Sequence, residues 1–177
     1  GAVSVALNAL WQTDAIEYGL KHSGSKAFIA DGERLQRIAS IRDQLDLRLI
    51  GTRNDGHTDR QPDFDFATLI LESERTDLDW ANVGPDDYAT IFYTSGSTGH
   101  PKGAVSCHRN IISALFSWEL DLAARQLELG ISAPAAAEQP ATLLAVPLFH
   151  ATGSHAVYLQ SYRAQRKIVA MYRWDPS

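Results

Sequence analysis

The sequence predicts an α/β fold with a largely parallel sheet flanked by helices. Two observations carry this. Short apolar, β-rich runs recur along the chain, and segments with helical spacing fill the gaps between them. A third observation fixes the scale: 177 residues with 45% apolar content are enough for a real core.

Six runs read as strands. Val3 to Leu7 alternates small and branched residues. Ala27 to Ala30 and Leu47 to Ile50 are bounded by turn formers. Ala89 to Tyr93, Thr142 to Val146 and Lys167 to Met171 complete the set. Helices are expected between them. Asp14 is placed to cap the first, with Glu17 three residues on and Gly24 to close it. Leu35, Ile38, Ala39 and Arg42 space a second, and Phe66 to Glu72 a short third. The fourth, Asn110 to Leu122, carries Ile111, Ile112, Leu115, Phe116, Trp118 and Leu122, a face so wide that deep burial is expected. A fifth follows Thr152. Residues 51–64 and 129–141 are polar or Ala/Pro-rich and read as surface loops.

Composition excludes several classes. A net charge of −5 argues against a general binder of nucleic acid or anionic membranes. No apolar run approaches the roughly 18 residues of a membrane span. Cys107 is the single cysteine, so no internal disulfide forms, and a reducing, cytoplasmic compartment is the default. Cys107 itself reads as a small buried residue. The only Met is Met171, and the chain closes on the turn "YRWDPS". A piece of a longer protein is therefore expected.

The segment "YTSGSTGHPKGAV", Tyr93 to Val105, holds the chemistry. It follows the apolar run Ala89 to Phe92 and precedes the long fourth helix. In an open parallel sheet, ligands bind beyond the carboxyl ends of strands. Gly96, Gly99 and Gly103 let backbone N–H groups approach a ligand. Thr94, Ser95, Ser97 and Thr98 add hydroxyls, and Lys102 adds a point charge suited to phosphate. Most Gly/Ser/Thr loops only connect elements; the Pro-Lys-Gly ending and the expected strand–loop–helix setting separate this one. The segment is not a Walker A loop, because Lys102 is followed by Gly103 and Ala104. Neither a G-x-G-x-x-G turn nor a G-x-S-x-G elbow is present.

This segment resembles the phosphate-loop signature of the adenylate-forming, AMP-binding enzymes, which include acyl-CoA synthetases and luciferases. "GPDDYATIFYTSG", "CHRNIISAL", "LLAVPLFHATG" and "KIVAMYRWDPS" resemble further segments of that family, with a flavour closest to fatty-acid–CoA ligases. The resemblance implies that residues 1–177 are an incomplete part of the N-terminal AMP-binding domain. It implies that Thr94, Ser95, Gly96, Ser97, Thr98, Gly99 and Lys102 hold the β- and γ-phosphates of ATP. His150 would edge the acyl and adenylate pocket, and Lys102 and His150 would be the catalytic side chains. The implied reaction has two steps. A carboxylate, a fatty acid by this resemblance, attacks the α-phosphate of ATP and releases pyrophosphate. The thiol of coenzyme A then displaces AMP. The family's magnesium and adenine segment, its ribose-gripping Thr-Gly-Asp and its C-terminal domain are expected outside this chain, so the chain alone is expected to be inactive. The competing reading is a non-catalytic truncated domain with weak phosphate affinity. A Walker-type nucleotide hydrolase is disfavoured by the missing motif. His150 and His155 lie five apart with no matching carboxylate, so no metal site is expected from this chain.

Overall fold

The computed structural model describes residues 1–53, 61–73, 81–94, 99–131 and 138–171. In chain order the elements are β1 (Ser4–Ala6), α1 (Thr13–Ser23), β2 (Ala27–Asp31) and α2 (Gly32–Arg37). A 3-10 turn (Ala39–Gln44) leads to β3 (Arg48–Thr52), β4 (Phe64–Asp65) and α3 (Phe66–Leu71). β5 (Tyr88–Thr94), β6 (Lys102–Cys107), α4 (His108–Glu128) and β7 (Ala141–Leu144) follow. A wide π-type turn (Thr152–Leu159), α5 (Gln160–Arg163) and β8 (Lys167–Ala170) close the described chain. The fold is α/β, and all six expected strands are present.

Four strand pairs run parallel: β1 with β5, β2 with β3, β3 with β4, and β7 with β8. Among the described residues they form three small sheets, ordered β1-β5-β6, β2-β3-β4 and β7-β8. β5 is central in the first, with Ser4 opposite Thr90 and Ala6 opposite Phe92.

The chain divides into two compact units. One comprises residues 7–82 and 93–103. Its core is Ile16 and Leu20 of α1, Leu35 and Ile38 around α2, and Leu45, Leu47 and Leu49 at β3. Ile38 is completely buried. Gly24 closes α1 at φ 65°, as expected of a left-handed cap. The start of α1 differs from expectation. Gln12 occupies the N-cap without a side-chain bond, and Asp14 lies inside the first turn. The second expected helix is also broken, because α2 ends at Arg37 and a 3-10 turn begins at Ala39. Asp31 caps α2 by accepting from the Arg34 N–H at 3.1 Å. Arg37 donates to the carbonyls of Ala9 (2.9 Å) and Trp11 (2.6 Å), fixing the loop before α1.

The other unit comprises residues 1–6, 83–92 and 104–177. Here α4 starts two residues before the expected boundary and runs to Glu128. Its burial is the main correction. None of its residues is buried, and Ile112, Phe116, Trp118 and Leu122 are 42–51% exposed. A wide apolar face demands cover, but the contacts that α4 makes with α5 are largely those of polar side chains. Gln160 donates to the Leu115 carbonyl at 2.8 Å, Arg163 pairs with Glu119, and the Arg163 guanidinium lies 4.3 Å from the Phe116 ring. Cys107 is half-buried rather than buried, and serves as the N-cap of α4. Asn110 Oδ1 accepts from its backbone N–H at 3.1 Å and from its thiol at 3.0 Å.

The loop reading of residues 51–64 and 129–141 falls partly on residues 54–60 and 132–137, which lie outside the described residues, and it fails at its described ends, where Gly51 and Thr52 belong to β3, Phe64 to β4 and Ala141 to β7.

Candidate functional site

Tyr93 to Lys102 is the centre of the site. Residues Ser95, Gly96, Ser97 and Thr98 lie outside the described residues, so the structure bears on Thr94, Gly99 and Lys102 alone. Thr94 is the exposed last residue of β5. Gly99 adopts φ 100°, a conformation open to glycine at little cost, and a Cβ there would meet nothing within 4 Å. Lys102 is exposed and opens β6. The Thr94 hydroxyl donates a long hydrogen bond, 3.4 Å, to the Lys102 carbonyl.

This changes the expected setting. The segment does not run strand–loop–helix. A further strand, β6, stands between Lys102 and α4. Gly103 lies within that strand and is not among the glycines with positive φ, so no special conformation is required of it. The sequence signal was weak, because "KGAVSC" mixes polar and small residues.

The flanks of the segment rest on α1. Tyr93 is 8% exposed, and its hydroxyl donates to the Gly19 carbonyl at 3.1 Å. His22 Nδ1 lies 2.9 Å from the same hydroxyl. Burial pushes the Tyr93 hydroxyl pKa up, so it remains a proton donor. Trp11 meets the Tyr93 ring edge-on at 5.5 Å. On the other flank, His100 stacks on Tyr18, with centroids 4.9 Å apart and planes at 23°. None of these α1 contacts was legible beforehand. The only trace in the sequence is the spacing of Tyr18 and His22, one helical turn apart on one face.

The lead-in Gly84 to Asp87 has a structural task in the other unit. The N–H groups of His108 and Arg109 donate to the carbonyls of Asp87 (3.1 Å) and Pro85 (2.7 Å). Arg109 forks onto Asp86 at 2.7 and 2.9 Å, and its hydrogen bonds hold the Asp86 carboxyl below its usual pKa. Asp87 accepts from the Gly84 N–H at 2.7 Å. These acids are therefore engaged in seating α4.

His150 is exposed, in the turn before the π-type turn. Its ring lies 4.9 Å from that of Phe149, and its carbonyl accepts from the Ser154 N–H at 2.9 Å. Lys102 and His150 belong to different units. His155 shows what the sequence missed. It is buried, its ring packs 5.1 Å from Phe92, and its Nε2 has no hydrogen-bond partner among the described residues. Desolvation lowers its pKa and keeps it neutral. Among the described residues no group of three or more His, Cys, Asp or Glu could hold a metal ion.

The chain belongs to the AMP-binding enzyme family, whose model matches residues 1–176. It is similar to long-chain-fatty-acid–CoA ligase FadD13 of Mycobacterium tuberculosis, at 30% identity over 99% of this chain and 31% of that protein. It is also similar to 4-coumarate–CoA ligase 3 of Arabidopsis thaliana, at 27% identity over 99% of this chain and 29% of the relative. The chain thus spans about 30% of the length of these curated relatives. Among solved structures, O-succinylbenzoate coenzyme A synthetase of Bacillus subtilis, in complex with ATP and magnesium ion, matches with a TM-score of 0.67. It is 26% identical, over 99% of this chain and 30% of that one.

Proposed function

We propose that residues 1–177 form part of the N-terminal AMP-binding domain of an ATP-dependent, AMP-forming acid–CoA ligase. One observation carries this: the family match runs the length of the chain and includes the intact phosphate segment Tyr93 to Val105. The described geometry is compatible with it. Thr94 ends a strand, Gly99 holds an open left-handed turn, and Lys102 projects an exposed ammonium at the start of the next strand. With Ser95, Gly96, Ser97 and Thr98, these residues would receive the β- and γ-phosphates of ATP. As the acid's carboxylate oxygen bonds to the α-phosphorus, the bond to pyrophosphate breaks and charge gathers on the leaving group. Lys102 and the hydroxyls would stabilise that charge. His150 would edge the acyl pocket. Coenzyme A would then displace AMP from the acyl adenylate through its thiol.

A fatty acid is the substrate we favour, supported by the 30% identity to the Mycobacterium tuberculosis ligase. An aryl acid is the second reading, supported by the coumarate ligase match over the same span. Magnesium would accompany ATP, and among the described residues no group of three or more His, Cys, Asp or Glu could hold it. No described helix is long and apolar enough to cross a membrane. We place the reaction in the cytoplasm. Residues 1–177 by themselves should form no acyl-CoA, because one phosphate segment and one pocket histidine cannot hold three reactants in attack geometry.

The test is ATP–pyrophosphate exchange by the ligase that carries this chain, with a panel of fatty and aryl acids. Lys102→Ala should slow exchange by about 100-fold while leaving acid affinity nearly unchanged. An unchanged exchange rate at saturating ATP would remove Lys102 from the chemistry. ATP binding without exchange for any acid would favour the non-catalytic reading.

A further inference from the structure

We propose that Tyr18 of α1 is a positioning residue for Lys102, acting through a ring stack on His100; this rests on reading Lys102 as the phosphate-binding lysine of Tyr93 to Val105. The observations all lie within one unit. Tyr18 is in stacking contact with two imidazoles, His22 at 5.1 Å and His100 at 4.9 Å, with interplanar angles of 18° and 23°. The same helix turn holds Tyr93, through the Gly19 carbonyl and His22 Nδ1. Tyr93 and His100 lie on opposite sides of the phosphate residues in the sequence. One helix therefore holds both Tyr93 and His100.

The chain between His100 and Lys102 makes the His100 contact consequential. Pro101 locks its own φ near −65° and restricts His100 to extended backbone. Few soft dihedrals remain between the seated imidazole and the Lys102 Cα. A second tie, from the Thr94 hydroxyl to the Lys102 carbonyl, joins the two flanks at their base. Gly99, with φ 100° and open space around it, supplies the turn that brings His100 back onto α1. His100 and His22 are exposed, so the His100–Tyr18 stack is not needed to fill the core of Ile16, Leu20 and Leu35. What the stack does is hold the backbone that carries Lys102. Tyr18 touches no substrate in this scheme.

The test uses pyrophosphate exchange in the ligase that carries this chain, comparing Tyr18→Ala, Tyr18→Phe, His100→Ala and the double variant Tyr18→Ala/His100→Ala. His100→Ala should raise the KM for ATP or lower the exchange rate by roughly three- to tenfold, as expected for loss of one aromatic pair, and Tyr18→Ala by at least as much, since it also removes the ring contacts with His22 and Tyr93. The KM for the acid should stay at the wild-type value. Tyr18→Phe keeps the ring and should restore wild-type behaviour. The double variant should be no worse than Tyr18→Ala alone, because Tyr18→Ala already removes the His100 contact. If Tyr18→Ala does not fold, the exposed His100→Ala and Tyr18→Phe still decide. Wild-type ATP kinetics in His100→Ala, in an enzyme that Lys102→Ala impairs, would overturn the role of the stack and leave the phosphate reading intact. Exchange that is absent from the wild type, or indifferent to Lys102→Ala, would overturn the phosphate reading and this inference with it.

Discussion

The helices α1 and α2 of one unit and α4 of the other treat apolar side chains in opposite ways. In the unit of residues 7–82 and 93–103, Ile16, Leu20, Leu35 and Ile38 are at most 4% exposed. In the other unit, α4 carries an equally apolar surface with no buried residue. Both segments have helical apolar spacing, and from sequence α4 looked the more deeply buried of the two. Periodicity reports which residues seek cover, whereas burial depends on a partner elsewhere in the fold. Tight packing in the α4 unit is instead found at the π-type turn, around Gly153, His155 and Ser161.

Substitutions can break or sharpen this contrast. Ile38→Ala should cost the most, about 2–5 kcal/mol, because a completely buried branched side chain leaves a cavity. Urea unfolding followed by circular dichroism would measure it, and a cost below 1 kcal/mol would mean this core is loosely packed. Gly153→Ala comes next. A Cβ there would lie 2.3 Å from the Pro147 carbonyl oxygen and 2.6 Å from that of Val146, so backbone must shift, at about 1–3 kcal/mol. Full tolerance would show that the turn is adaptable.

His155 should give a smaller, pH-dependent effect. Its folded pKa is depressed by desolvation, so the unfolded chain binds a proton more readily. The stability associated with the neutral ring is complete above the ordinary histidine pKa, about 6.5. It declines as pH falls through that value towards the folded pKa. Replacing His155 with Phe should flatten this part of the stability–pH curve, and an unaltered curve would assign the dependence to other groups. The smallest effect is expected at α4. Leu120 is 72% exposed, and Leu120→Ala should change the stability of residues 1–177 by less than about 0.5 kcal/mol. A loss comparable to that of Ile38→Ala would show that α4 is covered in solution.

The sequence was legible where one residue's chemistry decides the local backbone. Gly24 ended α1, and short branched runs gave the strands. The membership of the AMP-binding family was readable from the letters of Tyr93 to Val105. The sequence was illegible where tertiary contacts decide. β6 was hidden because a strand of small and polar residues is specified by its neighbour β5 more than by its own apolar content. Asp14 did not become the cap of α1, since Arg37 and the loop before the helix set its start. The seat of His100 on Tyr18 joins positions 82 residues apart, beyond the reach of any local pattern.

β6 also separates this segment from nucleotide loops that run straight into a helix. In those, the first N–H groups of the helix and its positive end face the phosphates. Here the N–H groups of His108 and Arg109 are already taken by the carbonyls of Asp87 and Pro85, and Cys107 closes the cap. The helix pole is spent on the chain's own backbone, and its field fades within a turn. The formal positive charge available from this segment is then that of Lys102, a single ammonium on a flexible stem. Such a charge follows a departing phosphate more readily than a fixed dipole does, and it is screened over about 8 Å at physiological salt. If Lys102 meets phosphate as proposed, a fold built this way would trade a permanent anion trap for a cation able to travel with the leaving group.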